Sequence, residues 1–232
     1  EQGAIFFENV VGENTTSDRQ LIIHEVMGRH CGWLTAATAL EYRKRLGEMT
    51  FIPEVGVVKE KWEIHSVFLP EEDIDFDKEC ERLNKIMDQY DCVNVFLCEG
   101  AGLETIVKET EKAGEEVLRD AFGHVRLDDL NPGQWFAKQL GKRLKANKVL
   151  VQKSGYFGRS AKANQQDLDL IFEVADKAVE SATTGISGVV GWDEEDNNNL
   201  TCIAFGRIKG GKPFDTSHDW YRNMMQEIHA IK

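Results

Sequence analysis

Short apolar runs alternate with helical stretches along most of this chain, and that alternation restricts the fold more than any other feature. Leu21-Ile22-Ile23-His24-Glu25-Val26 reads as a largely buried strand, and the alanine-rich stretch from Gly32 to Leu40 reads as the packed helix after it. The same spacing predicts a helix over 2–12, a strand over 20–27 and a helix over 33–46 ending near Gly47. A short strand at Thr50-Phe51-Ile52 runs into Pro53, and His65 to Leu69 is an extended piece within a long connection. Next come a helix over 76–89, with Leu83, Ile86 and Met87 at helical spacing, a strand over 92–98 and a helix over 103–112. Asn131-Pro132-Gly133 opens a helix over 134–145, followed by a strand over 148–152. A helix from Gln165 to 182, strands near 186–192 and 200–205, and a helix after Thr216-Ser217 complete the chain. Strands and helices in turn specify an α/β fold: a layered, mainly parallel sheet flanked by helices.

The 232 residues, 41% of them hydrophobic, can bury a substantial core. A net charge of −12 argues against nucleic acid or an anionic membrane as the main partner. It also means that a phosphorylated ligand must be held by a few local arginines and lysines. No apolar run approaches the roughly 18 residues of a membrane span, and no signal peptide is visible. The five cysteines, at 31, 80, 92, 98 and 202, form no CxxC pair and no zinc spacing. Reduced thiols and a cytoplasmic location are the expectation. The chain starts with Glu1, and Ala4 to Val11 already look like part of a packed helix, so a longer parent polypeptide is expected.

In parallel sheets ligands sit at the carboxyl ends of strands, and three such ends carry unusual residues. Met27-Gly28-Arg29 follows the first strand. The glycine lets backbone approach a ligand and the arginine can grip phosphate oxygens; the plain alternative is a tight turn with a surface arginine. Cys98-Glu99-Gly100-Ala101-Gly102 lacks the third glycine of a dinucleotide turn. Glu99 is the wrong charge for pyrophosphate there and the right type to accept from sugar hydroxyls, unless it only stabilises a helix start. Gln152 to Ser160 reads as a loop whose Lys153, Arg159 and Tyr156 could cradle a phosphate, or as an ordinary glycine-rich connection. The six histidines lack metal-ligand spacing, and the five tryptophans suit core or interface positions. Glu71-Glu72-Asp73 and Asp193 to Asn199 read as solvated acidic loops.

Taken together, Glu25-Val-Met-Gly-Arg-His-Cys-Gly-Trp-Leu-Thr-Ala36, Val67 to Glu71, Cys98 to Leu103, Asn131 to Ala137, Gln152 to Ala161 and Gly210 to Asp215 resemble the phosphofructokinase family. Within it the likeness is to the pyrophosphate-dependent branch, because Gly158-Arg159-Ser160-Ala161 stands where ATP-dependent relatives usually have Gln-Arg-Gly-Gly. The resemblance implies that Met27, Gly28 and Arg29 contact fructose 6-phosphate near the reacting end, with Arg29 catalytic. It implies that Glu99 binds sugar hydroxyls and that Tyr156 and Arg159 bind the sugar phosphate. In many relatives a neighbouring subunit adds an arginine, and Arg19 lies near that region.

The family's glycine-rich donor loop, its Gly-Gly-Asp-Asp element and its Thr-Ile-Asp-type motif do not occur here. The resemblance therefore implies a partial chain: a fructose 6-phosphate-binding domain over 1–165 and a return segment over 166–232 packing toward the donor domain. It implies phosphoryl transfer from pyrophosphate to the 1-hydroxyl of fructose 6-phosphate in a homo-oligomer, with Mg²⁺ bound mainly by the donor half. Alone, this chain would lack the catalytic aspartate and be inactive. The alternatives are an ATP-dependent 6-phosphofructokinase and a non-catalytic sugar-phosphate-binding fragment or subunit.

Overall fold

The elements of a computed structural model, which describes every residue except Lys209 and Lys232, run in this order. They are α1 (Gln2–Val11), β1 (Gln20–Val26), α2 (Trp33–Glu48), β2 (Ser66–Phe68), α3 (Phe76–Tyr90), β3 (Cys92–Cys98), α4 (Leu103–Lys112), α5 (Leu127–Leu130), α6 (Pro132–Arg143), β4 (Lys148–Lys153), α7 (Gly155–Ser160), α8 (Gln165–Thr183), β5 (Val189–Asp193), β6 (Asn199–Ile203) and α9 (Asp219–Ala230). They form two compact units, one of Glu1–Arg159 with the closing stretch from Lys212, the other of Ser160–Gly211.

The first unit is built on a four-stranded parallel sheet in the order β2-β3-β1-β4. Every residue of β1 and β3 is buried, which is why both strands are near-continuous apolar runs instead of alternating ones. Successive side chains of β1 serve opposite faces. His24 lies among Phe6 and Phe7 of α1 and Phe96 of β3. Glu25 lies on the other side, against Gly133 of α6. Tyr42 of α2 closes the first layer, edge-on to Phe7 and donating its hydroxyl to the Trp62 carbonyl at 2.6 Å. Phe68, Phe76, Trp135 and Phe136 fill the second layer. The helix starts follow local chemistry: Asp75 accepts the Lys78 N–H at 3.1 Å, and Pro132 occupies the first turn of α6.

The second unit packs α8 with the antiparallel hairpin β5–β6. Asn164 and Asp167 cap α8 reciprocally.

Several expectations need correction. The segment before Pro53 has one isolated bridge, Ile52–Val57, and no strand, because Pro53 opens a 3₁₀ turn. The stretch read as a 152–160 loop is strand to Lys153 and helix from Gly155. Asp193 is not solvated: it is buried and takes two hydrogen bonds from Arg207, at 2.5 and 2.7 Å. Glu71 and Glu72 are also engaged. Glu71 accepts the backbone N–H groups of Gly32 and Phe214, and Glu72 accepts the Tyr221 hydroxyl. Trp33 and Trp192 are more than half exposed, whereas Trp62, Trp135 and Trp220 pack on the core. Phe214 and α9 bond to Glu71, Glu72 and Arg43 within the first unit.

Candidate functional site

The strand register brings the three sequence-defined stretches to one level. Val26 pairs with Cys98 and Glu25 with Lys153, so the chain leaves β3, β1 and β4 side by side. The turns are then bound to one another. The Gly28 N–H donates to Glu99 Oε1 at 3.0 Å, and the Glu99 N–H donates to the Val26 carbonyl at 3.0 Å. The Cys98 thiol donates to the Gly28 carbonyl at 2.7 Å. Burial pushes that thiol up to about 11, so it stays a protonated donor and not a nucleophile. Two glycines are required by close approach: a Cβ on Gly28 or on Gly100 would strike the carbonyl of Cys31 or of Arg29 respectively.

Above these turns lies a cleft of about 360 Å³, within the usual span of small-molecule sites. Met27, Arg29, Glu99, Tyr156 and Arg159 line it, together with Glu25, Lys153, Gly155 and Arg126-Leu127-Asp128. Gly28 lies behind the wall and acts through its amide on Glu99. Met27 supports the start of α7: a Cβ on Gly155 would lie 2.9 Å from its Sδ. Phe157 of the same helix rests on Phe6 of α1, with ring centroids 5.4 Å apart.

The side chains differ in how committed they are. Lys153 Nζ is 2.9 Å from Glu25 Oε1 and 3.2 Å from Asn131 Oδ1. Glu25 is buried, and its Oε2 has no hydrogen-bond partner among the described residues. Arg126 pairs with Asp129 at 2.9 Å. Arg29 lies 3.7 Å from Asp120. Tyr156 is 85% exposed, and Arg159 is exposed with no ion pair to any described residue. The arrangement offers four cations to an anion and two carboxylates, Glu99 and Asp128, to hydroxyl donors.

Arg126 and Asp120 escaped sequence reading. They belong to a charged stretch without periodicity, far along the chain from Arg29, and only the fold brings them together. Arg19 does not reach this site. It lies at the amino end of β1, where its guanidinium is spent on Asp88 and the Leu144 and Lys145 carbonyls of its own chain. A larger groove of about 610 Å³ runs along β2 beside α3 and α9, but its central polar groups, Ser66, Glu79 and Arg82, bond one another. Among the described residues no three His, Cys, Asp or Glu side chains gather as metal ligands. No described helix is long and apolar enough to cross a membrane.

A family model for phosphofructokinase matches residues 8–182. The chain is 54% identical over 232 residues to the pyrophosphate–fructose 6-phosphate 1-phosphotransferase of Methylomonas methanica, covering all of this chain and 57% of the relative. It is 50% identical over 228 residues to the protein of the same name from Propionibacterium freudenreichii subsp. shermanii, covering 98% and 56%. Against the one from Mastigamoeba balamuthi the figures are 50% over 232 residues, covering 100% and 57%. The chain thus spans a little over half the length of these curated relatives. In fold it is similar to the pyrophosphate-dependent phosphofructokinases of Nitrosospira multiformis and Marinobacter aquaeolei, with TM-scores of 0.55 and 0.54. Identities there are 18% and 20%, and the match covers 97% and 98% of this chain and 52% of each structure.

Proposed function

The chain belongs to the phosphofructokinase family, and on that footing we propose that it supplies the sugar-phosphate site of a pyrophosphate-dependent phosphotransferase. The whole enzyme moves a phosphoryl group from pyrophosphate to the 1-hydroxyl of fructose 6-phosphate. The observation that carries this reading is the convergence of Arg29, Glu99, Tyr156 and Arg159 on one cleft above three adjacent strand ends.

Arg159, exposed and unpaired among the described residues, takes the 6-phosphate with Tyr156 beside it. Glu99, locked in place by the Gly28 amide, accepts from the sugar hydroxyls. Arg29 faces the reacting end and offsets the charge that builds on the transferring group. Fixing the sugar between these groups supplies part of the rate through alignment. The aspartate that removes the hydroxyl proton belongs to the donor half. The reading places Mg²⁺ with the donor half as well.

Leu168, Ile171, Phe172 and Val179 expose a stripe along α8. This supports the reading that the α8 part of the stretch beyond 166 packs toward the donor half. Five free cysteines fit a reducing cytoplasm, and a homo-oligomer completes the reading.

The test is a paired assay of the full-length enzyme with pyrophosphate and with ATP, alongside calorimetry of fructose 6-phosphate on the isolated chain. Pyrophosphate-dependent turnover, with binding and no turnover by the isolated chain, is the expected result. Turnover with ATP alone would move the protein to the ATP-dependent branch. A chain that ignores fructose 6-phosphate would overturn the site.

A further inference from the structure

The connection between α4 and α5 carries a hairpin over Leu118–Arg126, closed by a bridge between Arg119 and Val125. The Asp120 N–H donates to the His124 carbonyl at 2.8 Å, and the Arg126 N–H donates to the Leu118 carbonyl at 2.9 Å. One end of the hairpin therefore delivers Arg126 to the cleft wall. Its turn does something different. Oδ1 of Asp120 accepts the N–H groups of Phe122 and His124, both at 2.9 Å, which fixes the carboxylate within the turn. Oδ2 then faces His124 Nδ1 at 3.3 Å and the Arg29 guanidinium at 3.7 Å.

A separation of 3.7 Å is an electrostatic contact and not a hydrogen bond. Asp120 attracts Arg29 without consuming its N–H donors. A long, partly exposed arginine otherwise spends its rotamer freedom on many directions. We propose that Asp120 is a positioning residue for Arg29, holding its guanidinium over the cleft with the donors free for the transferring phosphoryl group. The proposal rests on the phosphotransfer reading given above.

The test compares full-length enzyme with its Asp120→Asn variant. An asparagine Oδ1 keeps both turn hydrogen bonds and removes the charge. The expected result is a kcat lower by about 5- to 10-fold with the KM for fructose 6-phosphate within about two-fold of the parent. The gap narrows at high salt, because the lost term is Coulombic. A Phe122→Ala variant probes the hairpin tip without touching that charge, since the Phe122 side chain is 86% exposed, and it retains the parent kcat. Equal kcat in the parent and Asp120→Asn enzymes, a loss confined to KM, or an equal loss in Phe122→Ala would overturn the assignment and leave the functional reading standing. A parent enzyme inactive with pyrophosphate removes the functional reading and this assignment with it.

Discussion

The backbone N–H of Gly28 donates to Oε1 of Glu99 at 3.0 Å, joining the turn that leaves β1 to the turn that leaves β3. Gly100, the next residue along, sits with its α-carbon against the Arg29 carbonyl. Backbone geometry at one turn therefore sets side-chain position at the other.

Gly100→Ala should cost about 1–3 kcal/mol of stability, the usual range for an overpacked site. It should also weaken fructose 6-phosphate binding, because the new methyl group can be housed only by displacing the Arg29 backbone. Urea unfolding and calorimetry measure the two effects. Parent-like values in both would show that the turns are not mechanically joined.

Arg159→Ala should leave the unfolding midpoint unchanged, since the side chain is exposed and makes no ion pair with any described residue. The dissociation constant for fructose 6-phosphate should rise roughly 30- to 100-fold, the scale of one lost hydrogen bond between charged groups. Binding at parent strength removes Arg159 from the site.

Glu71→Ala should destabilise the chain by about 2–3 kcal/mol, because it strands the Gly32 and Phe214 N–H groups. Glu71→Gln, which keeps acceptor capacity, should lose less. The difference between the two variants in chemical denaturation checks the clamp, and equal losses would contradict it.

His24 is fully buried among Phe6, Phe7 and Phe96, with neither ring nitrogen hydrogen-bonded to a described residue. Burial pulls its pKa from 6.5 down to about 3. Between those values the unfolded chain binds a proton that the folded chain refuses. Its contribution is therefore intact above pH 6.5 and falls on acidification, by about 1.4 kcal/mol per pH unit. His65, likewise lowered to about 3 mainly by burial, acts with the same sign. His24→Phe should raise stability at pH 7 by about 1 kcal/mol and flatten the acid limb by one proton's slope. An unchanged slope between pH 4 and 6, on the order of the window above, would show that the ring titrates freely.

How far the sequence reached follows from the same physics. β1 and β3 were readable because strands buried on both faces are apolar throughout. The α7 helix was not, because Gly155 and Gly158 are poor helix formers and Phe157 is held by contact with Phe6. Thr50-Phe51-Ile52 has strand composition but no partner strand. Asp193 read as solvent-facing because nothing local announces Arg207. Met27, Arg29, Glu99, Tyr156 and Arg159 were each visible at a strand end. That they share one cleft, with Arg126 and Asp120 joining them, depended on strand order.

The parallel ladder also sets what size of ligand the site can measure. Neighbouring strands stand about 4.8 Å apart, and Arg29, Glu99 and the α7 pair rise from three of them in the order β3-β1-β4. Lateral spacing between these groups is a property of main-chain pairing. Turn substitutions can exchange one chemistry for another, but the ruler beneath them stays the same.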